Sequence, residues 1–124
     1  MPKAPVDLAS FRPGSPGELL DGIVSHVAPV LGTHWVQARG EIAGHLETLA
    51  AKAHSTQARL LAGEITPGDA QFLFESQAIY LENILRLAEF TVFVAAQAVV
   101  DAVFAVVGAA VRNVTGFDLT APAP

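Results

Sequence analysis

The chain has 124 residues, with seven Lys and Arg against twelve Asp and Glu, and no cysteine. The acidic balance argues against nucleic acid as a partner, because phosphate binding needs a basic footprint. The missing cysteine excludes disulfides, thiolate catalysis and Cys-based metal or iron–sulfur sites. Apolar residues make up 52% and charged ones 15%, where about 25% charged is ordinary, so much apolar surface has to be hidden somewhere.

Residues 1–14, MPKAPVDLASFRPG, carry one lysine but no apolar core segment, which predicts no secretory signal. They read as an irregular arm whose Leu8 and Phe11 could anchor on a neighbouring surface. At residues 15–18 the sequence is SPGE, a helix start position by position. Ser15 is the N-cap, Pro16 sits where its missing N–H costs nothing, and Glu18 is the reciprocal acceptor. TPGD at 66–69 repeats the pattern with Thr66, Pro67 and Asp69. The flanking sequences ELLDGIVSHV and DAQFLFESQA do not correspond, so the two tetrapeptides are two independent caps and not an internal repeat.

The first cap opens a helical region from about 16 to 61, kinked or broken between Pro29 and Thr33, where proline removes a donor and Gly32 loosens the chain. From Trp35 onward, Trp35, Ile42, Leu46, Leu49, Ala53 and Leu60 fall on one helical stripe, with Trp35 read as core. Glu41, His45, Thr48, Lys52 and Arg59 lie on another face. Gly63 is placed to end the helix. The second cap opens a region from 67 to about 115 with no internal proline, which predicts a single rod of roughly 70 Å. Folding the two regions back on each other gives an all-α, long antiparallel helical hairpin over 15–116. FDLTAPAP at 117–124 reads as an irregular tail carrying Phe117 and Leu119.

The rod changes character along its length. Glu75, Gln77, Glu82, Asn83, Arg86 and Glu89 make its first half ordinarily amphipathic. Between Phe90 and Val111 the strongly polar side chains are Gln97 and Asp101. At 100° per residue, Arg86, Gln97, Asp101, Gly108 and Arg112 share one sector of roughly 80°. A helix apolar on nearly all sides is buried on nearly all sides, and one hairpin cannot bury it alone. Phe93, Val99, Val103, Phe104 and Val106 are therefore expected to form an oligomer interface, joining hairpins into a bundle. Pairing the helices about residues 64–65 sets His26 near Asp101 and His34 near Gln97. That predicts a buried polar layer of His26, His34, Gln97 and Asp101, since a bare buried acid is costly.

Other constellations weigh less. The ferritin-like Glu-x-x-His pattern is absent. Glu41 with His45, and the heptad-spaced Glu75, Glu82 and Glu89 opposite, sketch a metal-binding four-helix bundle made from two hairpins, but a solvated charged face accounts for the same residues. Asn113–Val114–Thr115 matches a glycosylation acceptor and, without an export signal, reads as chance. No catalytic residue and no cofactor site is expected. The functional expectation is a non-enzymatic, self-associating subunit with a structural, scaffold or adaptor role, cytoplasmic or within a soluble assembly. The alternative is a membrane-inserted protein crossing with residues 90–111, long enough for a bilayer core of about 30 Å. Asp101 near the middle of that segment opposes it.

Overall fold

A computed structural model of the chain describes residues 5–88 and 96–119. Within them every regular element is helical, and four α-helices account for the fold: α1 Pro16–Leu31, α2 Trp35–Leu61, α3 Pro67–Arg86 and α4 Ala96–Thr115. α1 packs mainly on α2 and α4, α2 packs on α3, and α4 also touches α2 and α3.

Both sequence caps form. The Ser15 hydroxyl accepts from the Glu18 N–H at 3.2 Å, and the Glu18 carboxylate reaches back to the Gly14 N–H at 2.7 Å. At α3 the reciprocal box closes, with Thr66 N–H donating to Asp69 and Asp69 N–H donating to Thr66, each at 3.1 Å. Gly63 ends α2 at φ +75°. Glu64 N–H donates to Arg59 C=O and Gly63 N–H to Leu60 C=O, the paired bonds of a Schellman turn.

The first predicted region divides where expected, as a break and not a kink, and the chain turns back on itself there. Pro29 stays inside α1, and Gly32, at φ +55°, breaks the helix before a single 3₁₀ turn over Gly32–His34. A positive φ is cheap for glycine and costly for other residues. α1 can then fold onto α2 and bury Leu19, Ile23, Val27 and Leu31. The second predicted region is not one rod. The chain leaves the helical path at Leu87, whose N–H bonds Ile84 C=O in a tighter turn, and resumes as α4. The two-helix hairpin is thereby replaced by a bundle made within one chain.

That change moves the core. Val99, Val103, Phe104 and Val106, expected at an oligomer interface, are buried inside the chain with Val100, Val107 and Ala110. α4 meets three partner helices where the hairpin offered one, so its broad apolar face is satisfied internally. Phe93 lies outside the described residues. The arms are internal too. Leu8, Phe11, Phe117 and Leu119 pack against the chain's own core, and the Phe11 ring lies directly on Gly22. Asn113 Nδ2 donates to the carbonyls of Leu8 and Phe11 at 2.9 Å each, and Arg12 donates to Asn113 C=O. Asn113 is thus a clasp for the N-terminal arm.

Candidate interaction surface

The predicted polar layer does not form. Gln97 and Asp101 are exposed, and Gln97 Nε2 donates to Asp101 Oδ1 at 2.8 Å along the outside of α4. His26, half-buried, places Nε2 3.0 Å from Val6 C=O, so it holds the N-terminal arm and does not pair with Asp101. His34, also half-buried, sits in the turn between α1 and α2. The sector that links Gln97, Asp101 and Arg112 is real, but it faces outward. A helix with three partners has one side left for solvent, and the charges occupy it.

The buried polar residues among those described are Ser25 in α1, Thr56 and Gln57 in α2, and Gln77 in α3. The Thr56 hydroxyl donates to Lys52 C=O at 3.0 Å and accepts from Gln77 Nε2 at 3.4 Å. This link joins α2 to α3 beneath a groove of about 540 Å³, whose walls include Leu49, Leu73 and Tyr80. Two cations border it. Lys52 Nζ sits 5.2 Å from the centre of the Tyr80 ring, a cation–π distance. Arg59 lies nearly two turns further along α2 and lowers the pKa of Asp69, an effect secondary to the hydrogen bonds from Thr66. Among the described residues the ion pair within 4 Å is Arg86 with Glu82, at 2.7 Å.

Beside this groove, α3 shows an apolar outer face. Phe72 is 67% exposed and Ile79 60%, and Leu87 in the turn just after α3 is 88% exposed. Two positions from Phe72, Phe74 is 1% exposed and belongs to the core with Ala70, Ala78, Leu81 and Leu85. The helix phase explains the contrast. The buried set centres on one side of the wheel, and Phe72, Ser76, Ile79 and Asn83 span roughly 60° on the other. Sequence reasoning passed over this face because it read α3 as an ordinary amphipathic helix. The signal was present in the i, i+7 pair Phe72 and Ile79, out of phase with Phe74 and Leu81.

Among the described residues no group of three or more His, Asp or Glu side chains converges in a way that could hold a metal ion. Glu89, one member of the acidic series, lies outside them. α4 is the one described helix long and apolar enough to cross a membrane, with a mean hydropathy of 1.6. Half of that stretch is already buried against the rest of the chain, and its outward side carries Gln97, Asp101 and Arg112. No family model, no curated protein and no solved structure matches this chain.

Proposed function

We propose that this chain is a non-enzymatic association module, a scaffold or adaptor subunit that works by self-assembly, with the outer face of α3 as its contact surface. The observation behind this reading is Phe72 and Ile79 on α3, with Leu87 in the turn that follows, held outside the bundle core. Large apolar side chains clustered on one outward helix face mark a protein contact more often than scattered ones do. The hydroxyl on this face, Ser76 Oγ, donates to Phe72 C=O at 3.0 Å within the helix.

Light scattering across a concentration series tests the reading. The mass should rise above the 12.9 kDa of one chain at micromolar concentration, and Phe72→Asp with Ile79→Asp should return it to one chain while leaving helicity unchanged. A wild-type mass that stays at one chain through that range would refute it. Recovery of the protein in membranes, resistant to carbonate and released by detergent, would favour α4 as a bilayer segment instead.

A further inference from the structure

We infer that two copies of this chain dock side by side in parallel along α3, with Glu75 and Glu82 of each copy meeting Arg59 and Lys52 of the other. The inference rests on the reading of α3 as the association face and adds its geometry and partner contacts.

α3 has two unlike flanks beside its outward stripe. On the flank facing α2 lie Lys52 and Arg59, seven residues apart and so about 10.5 Å apart along the axis. Both are exposed, and among the described residues neither has a carboxylate within 4 Å. On the opposite flank lie Glu75 and Glu82, also seven residues apart. Each is half-exposed, with Glu75 Oε1 taking Gln71 Nε2 and Glu82 Oε1 taking Arg86. These local partners sit four residues away on the same helix, exposed pairs that solvent screens and that contribute little.

The heights of the two pairs match. Lys52 lies beside Tyr80 and Thr56 beside Gln77, and α2 runs antiparallel to α3. Moving three residues forward on α2 moves about three back on α3, which sets Arg59 level with residue 74. Lys52 is level with residues 80–81. Arg59 is therefore within about one residue rise of the height of Glu75, and Lys52 within about two of Glu82, or roughly 1.5–3 Å.

Identical faces can meet about a two-fold axis in two ways. With the axis along the helices, the copies are parallel, and the basic flank of each faces the acidic flank of the other at the same heights. With the axis across the helices, the copies are antiparallel, so basic flank meets basic and acidic meets acidic. Like charges opposed across an interface select against that orientation. Arg86 beside Glu82 and Asp69 beside Arg59 reduce each flank's net charge without changing its sign. In the parallel pair Phe72 meets Phe72 and Ile79 meets Ile79 across the axis. A stripe this narrow gives a weak, reversible dimer.

The chain has no cysteine, so introduced ones report orientation cleanly. Ser76→Cys and Asn83→Cys are exposed substitutions on the stripe. In a parallel dimer each variant alone should form a disulfide-linked dimer under mild oxidation, because every residue on the stripe faces its own copy. An antiparallel pair can set only one position opposite itself, so linkage at one position alone, or only in the 76–83 mixture, would overturn the inference while leaving α3 association standing. Lys52→Glu should weaken the dimer tenfold or more at low salt, and adding Glu82→Lys should restore most of it. Absence of that rescue in a protein that still dimerises would overturn the ion-pair register. A monomeric wild type would remove the underlying reading as well.

Discussion

α3 and α4 come from a stretch that reads in sequence as one continuous rod, yet they treat their apolar residues in opposite ways. α4 has the more apolar sequence and buries its Phe104 and every valine but the half-buried Val114, turning Gln97, Asp101 and Arg112 outward. α3 has the more mixed sequence and leaves Phe72 and Ile79 in solvent, as the turn after it leaves Leu87. Apolar content alone therefore misplaces the exposed apolar surface. What decides is the phase of each apolar residue relative to the partner helices, and how many partners the helix has.

Two phenylalanines two positions apart in α3 separate the buried side from the exposed one. Phe74→Ala removes a fully buried ring and should cost about 3–5 kcal/mol of unfolding free energy. Phe72→Ala should change the stability of the single chain by no more than about 0.5 kcal/mol and show its effect in self-association. Chemical denaturation at low and high protein concentration separates the two readouts. Equal losses for both variants would mean that Phe72 is covered within the chain.

A second test asks the same inside-or-outside question of the N-terminal arm. A Cβ at Gly22 would fall 2.4 Å from the Phe11 ring, far inside contact distance, so Gly22→Ala must displace either the ring or the helix. Overpacking of this kind costs about 1–3 kcal/mol. The expected result is cleavage ahead of Ser15 by protease at a rate above wild type, with the strain relieved in the double variant that adds Phe11→Ala. An arm docked on another molecule would leave Gly22→Ala harmless.

Much of the architecture was legible because it rests on local chemistry. Ser15, Thr66 and Asp69 mark helix starts, Gly63 marks an end, and Gly32 marks the first break. Each signal needs only its immediate neighbours. The second break had no such signal, since neither proline nor glycine stands near Leu87 in the sequence. It comes from the tertiary gain of folding α4 back among three helices, which no local pattern records. The same gap produced the error at Asp101. Its angular neighbours were read correctly, but whether that sector faces a partner or water depends on how many helices surround α4. The groove beside α3 was half legible. Lys52 and Arg59 were placed on a polar face, while their alignment with Glu75 and Glu82 required the Lys52–Tyr80 and Thr56–Gln77 contacts.

The start of α3 can be weakened without touching either face. Thr66→Ala removes one half of the capping box and should cost about 1 kcal/mol. The pH dependence follows from Asp69, whose carboxyl is held below its ordinary value of 3.8 by hydrogen bonds from the Thr66 backbone N–H first and the Thr66 side chain second. A depressed carboxylate stabilises the fold above its unfolded pKa, and that contribution is lost as pH falls through the folded value. Wild type and Asp69→Asn should therefore differ in melting temperature at neutral pH and converge below about pH 4. A difference that persists unchanged to pH 2.5 would show that the carboxylate charge is not what the cap uses.

The smallest expected effect is on α4's outer side. Asp101 is exposed and accepts from Gln97 four residues earlier, a helix-surface contact worth about 0.2–0.5 kcal/mol. Asp101→Asn should therefore shift stability by no more than about 0.5 kcal/mol. Combining it with His26→Ala should give additive changes, because His26 spends its Nε2 on Val6 C=O and the two side chains share no contact. The measurement is a double-mutant cycle by denaturant unfolding, repeated at a concentration where the chain is associated. If α3 alone carries the contact, Asp101 stays in water in both states and the numbers agree. A cost of several kcal/mol appearing only in the associated state would mean that the outer side of α4 is covered by a partner, and the contrast between the two helices would then hold for the single chain and not for the assembly.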